Sequence, residues 1–311
     1  MRQFAVRLLV SVLALAALLW LVDLAELGQL LASIHPGWAA AVVIFCTLDR
    51  VVMSWKWTLL LRAGGVRAGF GQALKTYYVG NFFGSFLPST VGADVLRAWR
   101  LSALEGRAAT VISSIILERV LGFLALAVFC VMSLAVLAVV VKRHLGALLL
   151  VDAAAMSAAI ALTALALGRW EMLRRWLSQS RSGALRKLGA FYDALGQFRS
   201  SRGALAIFLA ASVAEVLLPV AANWAGARSL GLANPFWHFV LLIPVTLLVA
   251  RIPVSLDGIG IQEGAYVALF AMLGTPPASA LALGLVQRIL TLLSTTPGLV
   301  FYLRPESINL E

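Results

Sequence analysis

Charge is scarce in this sequence. Of 311 residues only 13% are Asp, Glu, Lys or Arg, about half the roughly 25% usual in a soluble domain, which excludes a water-facing surface over most of the chain. Cysteine is nearly absent: Cys46 and Cys130 both stand inside apolar runs, so a disulfide framework is not expected. The three histidines, His35, His144 and His238, are scattered, and no Cys/His cluster has metal-ligand spacing. Neither a metal nor another cofactor is therefore expected. No segment has the phosphate-cradling form G-x-x-x-x-G-K-[ST], so ATP hydrolysis by this chain is not expected either. A small-x-small cleavage pattern is missing before Asp23, and the apolar run from Leu8 to Val22 behind Arg2 and Arg7 reads as a first span, not a cleaved leader.

Apolar residues are abundant instead, at 61%, with a mean hydropathy of +0.94. Runs of the roughly 20 residues that cross a hydrocarbon core recur near 4–22, 38–61, 109–141, 146–168, 204–226 and 278–303. The expected fold is all-α: one polytopic membrane domain over residues 1–311 with about six full spans. Two more apolar stretches, 70–103 and 234–275, are interrupted near their middles by Pro, Gly and charge. They read as re-entrant or broken helical hairpins, the first broken at Pro88 and Gly92, the second at Pro253, Gly258 and Gly260. Irregular backbone at membrane depth is tolerated only where protein or a wet cavity surrounds it, so both breaks are expected to line an interior site.

The net charge of +11 is distributed between the apolar runs, most densely in 169–202, where eight Lys/Arg face Glu171 and Asp193. That is the pattern of cytoplasmic loops, with anionic lipid rather than nucleic acid as the counter-charge. Both termini are then expected in the cytoplasm. Within the loop, Leu185, Leu188, Phe191, Leu195 and Phe198 recur at helical spacing, and Ala184 to Phe198 reads either as an amphipathic helix on the inner leaflet or as a solvated connector. The tryptophans at 20, 38, 55, 57, 170, 176 and 237 fall mainly near span ends and read as interfacial anchors.

Matching the two breaks exposes a repeat. Asp49 precedes Pro88 by 39 residues (88 − 49) and Glu215 precedes Pro253 by 38 (253 − 215), while Arg119 and Arg288 follow those prolines by 31 (119 − 88) and 35 (288 − 253). Leu117-Glu118-Arg119-Val120-Leu121 and Val286-Gln287-Arg288-Ile289-Leu290 match in kind. Residues 1–141 and 146–303 are thus expected to form two repeats. Three full spans in the first would invert the second, the arrangement of many secondary transporters, whose sites lie between repeats near the midplane.

Ionisable residues inside spans cost at least about 2.5 kcal/mol near the bilayer centre, so they face the interior and are paired. Asp49, Arg50, Glu118, Arg119, Glu215 and Arg288 lie within spans, and Arg251, Asp257 and Glu263 flank the second break. One reading is structural: Asp49, Glu118, Glu215 and Glu263 neutralise Arg50, Arg119, Arg251 and Arg288. The other is functional: the arginines converge on an anionic headgroup, Arg97 and Arg100 capture it at the inner surface, and backbone N–H groups at the helix starts after Gly92 and Gly260 assist. In that reading the carboxylates bind a cationic group or relay protons.

Two strings are also familiar. Asn81-Phe82-Phe83-Gly84-Ser85-Phe86-Leu87-Pro88-Ser89-Thr90-Val91-Gly92-Ala93-Asp94-Val95-Leu96-Arg97 and Arg251-Ile252-Pro253-Val254-Ser255-Leu256-Asp257-Gly258-Ile259-Gly260-Ile261-Gln262-Glu263-Gly264, with Glu118-Arg119 between them, resemble the lysylphosphatidylglycerol synthase transmembrane-region family. Many relatives carry a second Gly where this chain has Ala93. The resemblance covers nearly the whole chain and implies a flippase-like membrane module without the aminoacyl-transferase domain that follows it in two-domain members. It implies translocation of a polar-headed lipid between leaflets of a bacterial inner membrane without telling which lipid; the arginines above point to an anionic or zwitterionic headgroup, with Asp94 and Arg97 joining the charged residues of the headgroup site. Such transport would be proton-coupled or downhill, and the chain would not be an enzyme. The alternatives are a membrane scaffold for a separate lipid-modifying enzyme docked on 169–202, and an intramembrane enzyme using Asp49, Glu118 or Glu215, which no His/Ser/Cys constellation supports.

Overall fold

The computed structural model describes residues 2–87, 92–141, 201–252 and 254–303, with Ser157, Asp193, Gly196 and Phe198 as isolated positions. The expected span 146–168, most of the loop 169–202, Pro88 and Pro253 lie outside the described residues. Every regular element among those described is helical. Four segments are long and apolar enough to cross a membrane: Pro36–Ala63, Ala108–Leu137, Arg202–Ser229 and Pro277–Leu303.

The first apolar run does not end in a loop. Helix α1 (Arg2–Leu21) turns through 97° into α2 (Leu24–Ala32). Asp23 makes the corner, its carboxylate accepting from the N–H groups of Ala25 at 2.8 Å and Glu26 at 3.3 Å, which caps the new helix. Pro36 then starts α3 (Pro36–Ala63), where a missing N–H costs nothing. Helix α4 (Phe70–Gly84) and α5 (Gly92–Glu105) form the first broken hairpin, and α6 (Ala108–Val141) follows. The next apolar run is two helices, α7 (Arg202–Glu215) and α8 (Leu217–Ser229). Pro219 explains the join, because its ring clashes with the carbonyl four residues back, that of Glu215. Helix α9 (Phe236–Ala250) and α10 (Ile261–Ala271) make the second hairpin, and the last run is α11 (Pro277–Ser294) and α12 (Pro297–Leu303), again split ahead of a proline.

The same lengths recur. Pro36–Ala63 and Arg202–Ser229 are both 28 residues, α4 and α9 are both 15, and both pairs of starts are 166 apart (202 − 36 and 236 − 70). After the breaks the offset becomes 169, for α5 to α10 (261 − 92) and α6 to α11 (277 − 108). Three extra residues in the second break account for the change. Neighbours recur as well: α3 against α4 and α8 against α9; α4–α5 and α9–α10; α5–α6 and α10–α11; α6 against α9 and α12 against α4. Helix α3 packs along α7 and α8, so the two 28-residue segments meet each other.

Lipid tails give helices no hydrophobic reason to associate, so close backbone approach carries the packing. In the first hairpin Gly80 and Gly84, four apart on α4, face α5: a Cβ on Gly84 would fall 2.7 Å from the Ala93 Cα, and one on Gly80 2.8 Å from the Ala93 carbonyl oxygen. Gly298 of α12 lies directly on the Tyr78 carbonyl of α4. Phe198 is buried against Leu60, Leu117, Leu121 and Phe208. That residue of the expected surface helix therefore packs into protein, where three helices offer it a tighter contact than a leaflet does.

Candidate functional site

The first hairpin builds a charged cluster from α5 and α6. Asp94 lies in the first turn of α5, where the helix dipole favours a carboxylate. Arg97, one turn on, shares its face and is buried with it, its side chain only 4% exposed. Its guanidinium bonds Glu118 at 2.5 Å through Nη2 and 3.4 Å through Nη1, and reaches Asp94 at 3.4 Å. The rings of Trp57 and Tyr77 each lie 4.2 Å from its Cζ. Arg97 is therefore not the surface capture residue expected from its place after a basic segment: two aromatic faces and two carboxylates hold it inside. Trp57, expected as an interfacial anchor, is fully buried, with its indole N–H bonded to Ser114 at 3.0 Å.

Arg119 pairs with Asp94, not Glu118. Its Nε donates to Asp94 Oδ2 at 2.6 Å, and its side chain is 53% exposed. The bond engages Nε and leaves both terminal nitrogens out of it. An exposed guanidinium this far along a membrane helix must face water, since lipid would exact the full cost of the charge.

The second hairpin repeats this pair. Glu263 stands in the first turn of α10, 1% exposed, and Arg288 Nε donates to its Oε1 at 2.6 Å. In both pairs the arginine follows its acid by 25 residues. Each arginine is also 11 residues past the start of its helix (119 − 108 and 288 − 277), about 16 Å at 1.5 Å per residue and near half the depth of a ~30 Å core. Arg288, 24% exposed, also donates to Gln262 Oε1 and the Asp257 carbonyl, both at 3.2 Å, and the Asp257 carboxylate lies 4.0 Å away. Glu263, one of the acids read as neutralising the arginines, is thus held by Arg288. Gly258 and Gly260, at φ +72° and +81°, make the turn, and Asp257 joins them at φ +47°. The Gly260 N–H donates to Glu263 Oε2 at 2.7 Å, so the chain's own carboxylate takes the donor expected to await an anion. Helix α1 closes over this break, Ser11 Oγ accepting from the Leu256 N–H at 2.9 Å.

Between the hairpins, where α3 crosses α7 and α8, lies a third cluster. Asp49 and Glu215 each stand 13 residues into their 28-residue segments (49 − 36 and 215 − 202), and their side chains meet there. Glu215 is bonded by Lys56, a fully buried residue that also donates to Ser212 at 3.1 Å. Sequence reasoning passed over Lys56, although its seven-residue spacing from Asp49 puts it on the same helix face. Arg50 turns back on its own helix, Nη1 donating to the Cys46 carbonyl at 2.7 Å, and its buried Nε has no partner among the described residues. Arg251, at the end of α9, is exposed, its Cζ 5.5 Å from the Phe123 ring centre. Glu215 is therefore the partner of Lys56, while Arg251 relies on an aromatic face. Pro88 lies outside the described residues, and Gly92 is buried where α5 begins, with the Leu87 side chain against it. No group of three metal-ligating side chains occurs among the described residues.

The family model of the lysylphosphatidylglycerol synthase TM region matches residues 4–298. A UPF0104 membrane protein of Methanothermobacter thermautotrophicus is 22% identical over 316 residues, which cover 93% of this chain and 90% of the relative. A second UPF0104 membrane protein, of Methanocaldococcus jannaschii, is 22% identical over 306 residues with the same coverage. No solved structure matches the chain.

Proposed function

The chain belongs to the lysylphosphatidylglycerol synthase transmembrane-region family, a multi-pass membrane protein, and from that premise we propose that it moves a polar-headed lipid between leaflets. The observation that supports this most is the pair of acid–arginine contacts, Asp94–Arg119 and Glu263–Arg288, built with the same atom, spacing and depth beside two broken hairpins. A headgroup crossing the core needs polar partners at mid-depth, while its tails need none. On this reading the two halves form an inverted repeat, and motion of one against the other exposes the site to each face alternately. The protein sits in the inner membrane with both ends cytoplasmic, consistent with Arg2, Arg7 and the basic stretch 169–202. It works without catalysing a covalent change and without a cofactor.

The test is a leaflet-resolved assay in liposomes containing this protein alone. Accelerated movement of a candidate lipid, lost in Arg119→Ala and in Arg288→Ala, is the expected result. A protein that moves none of the candidates but still recovers a lipid-modifying enzyme through 169–202 is a scaffold instead.

A further inference from the structure

One arginine is not accounted for by the matched pairs. Arg251 lies over Phe123, 5.5 Å from guanidinium carbon to ring centre. Phe123 is four residues after Arg119 on α6, and side chains four apart on a helix lie on one face about 6 Å from each other. Arg119 and Arg251 thus stand over consecutive turns of the same face of α6, one supplied by each half of the chain. The Arg119 side chain is 53% exposed, and Arg251 is exposed as a residue.

The ion pairs of the described residues leave Arg251 out. Glu118 is committed to Arg97, Asp94 to Arg97 and Arg119, and Glu215 to Lys56. Among the described residues no carboxylate lies within 4.0 Å of Arg251. The C-terminal end of α9 helps hold its charge. Two arginines over consecutive turns of one helix face, one of them without a carboxylate partner among the described residues, suit an anion. Guanidinium groups present planar N–H pairs that suit phosphate oxygens and keep their charge at any working pH.

We infer that Arg119 and Arg251 together bind the phosphate of a phosphate-bearing lipid headgroup, one arginine from each half. The site deepens the translocation reading and rests on it for the lipid, but its binding is measured without transport. A ligand bridging the two halves would also tie headgroup occupancy to their relative position.

The experiment is binding to the whole chain in nanodiscs by native mass spectrometry, with three probes: dioctanoyl phosphatidic acid, dioctanoylglycerol with the same tails and no phosphate, and inorganic phosphate. Phosphatidic acid is expected to bind at least about tenfold more tightly than dioctanoylglycerol, and Arg251→Gln to remove about tenfold of that preference. Arg251→Lys should retain part of it. Arg251→Gln leaves no described carboxylate unpaired, so its thermal unfolding should match wild type and a fall in affinity is not a folding effect. Equal binding of the two lipids, or an unchanged preference in Arg251→Gln, overturns the site. Inorganic phosphate binding as tightly as phosphatidic acid overturns the lipid as its source. Phosphatidic acid held through Arg251 but not moved in liposomes sinks translocation and leaves the site standing. Movement of a phosphate-free lipid, untouched by Arg251→Gln, does the reverse.

Discussion

The two halves keep one feature and exchange another. At corresponding positions, 166 apart before the breaks and 169 after, the first half has Trp57, Tyr77, Arg97 and Glu118 where the second has Asn223, Ile243, Tyr266 and Gln287. The first set is a buried ion pair between two aromatic rings. The second is neutral: the Tyr266 hydroxyl donates to Asn223 Oδ1, and Gln287 Nε2 lies 3.8 Å from Cys46 Sγ. Beside both sets the acid and the arginine 25 residues later persist, with the same Nε bond of 2.6 Å. In the first half this set ties the hairpin to the following helix, Arg97 of α5 to Glu118 of α6, whereas in the second Tyr266 of α10 ties the hairpin back to Asn223 of α8 and Gln287 of α11 turns to Cys46 of α3. What both halves keep, at equal depth, is the partly exposed arginine on a buried acid.

Breaking the first fastening should have the largest effect. Arg97→Ala leaves Glu118 buried and unpaired, and Glu118→Ala leaves the buried Arg97 only its longer 3.4 Å contact with Asp94. Each should destabilise the fold by about 3–5 kcal/mol, read as thermal unfolding in detergent. The triple change Trp57→Asn, Arg97→Tyr and Glu118→Gln supplies the Tyr–Asn bond of the second half and removes both buried charges, and should recover much of the loss. No recovery would mean that the neutral set does not stand in for the charged one.

The kept pair comes next, and its effect should fall on transport more than on stability. Arg119→Ala and Arg288→Ala should each slow lipid movement about tenfold or more, the size of one lost charged hydrogen bond at a site. Arg288→Ala should cost more stability than Arg119→Ala, because Arg288 is less exposed and also holds Gln262 and the Asp257 carbonyl. If only one of the two slows movement, the site belongs to one half.

Packing gives a smaller contrast. Gly80 and Gly84 correspond to Thr246 and Ala250, which already carry a Cβ. Gly84→Ala should therefore destabilise the first hairpin by about 1–3 kcal/mol, since the new methyl meets Ala93 backbone. Ala250→Gly should cost about 1 kcal/mol or less, mainly in helix propensity. Unfolding of the two variants side by side checks the ordering.

The sequence made the spans legible because a hydrocarbon core imposes a length, and the breaks legible because Pro, Gly and charge are clustered there within a few residues. Partner choice was not legible. Glu118 and Asp94 are both acids near Arg119, and only the packing of α5 on α6 decides that Arg97 takes Glu118 and leaves Asp94 to Arg119. A 25-residue spacing is far beyond helical periodicity. Aligning the halves on their prolines also hid it, because the second break is three residues longer and shifts everything after it. Trp57 was missed because an aromatic residue near a span end reads as an interfacial anchor, and burial alone tells otherwise.

The longer break supplies the smallest expected effect. Asp257 is the non-glycine residue at positive φ among those described, at +47°. Such a conformation costs an L-residue roughly 1–2 kcal/mol, and Asp257→Gly relieves it while adding unfolded-chain entropy of about 0.4–1 kcal/mol. The two nearly cancel, so stability should change by less than about 1 kcal/mol. Transport separates what stability does not. The Asp257 carboxylate stands 4.0 Å from Arg288 and is 58% exposed, with no counterpart in the shorter first break. If it only shapes the turn, Asp257→Gly moves lipid at the wild-type rate while Asp257→Ala, which keeps a Cβ at positive φ, is the less stable of the two. If it tempers the Arg288 charge against a headgroup, both variants alter lipid selectivity equally, and the second half differs from the first in what it binds as well as in how it is fastened.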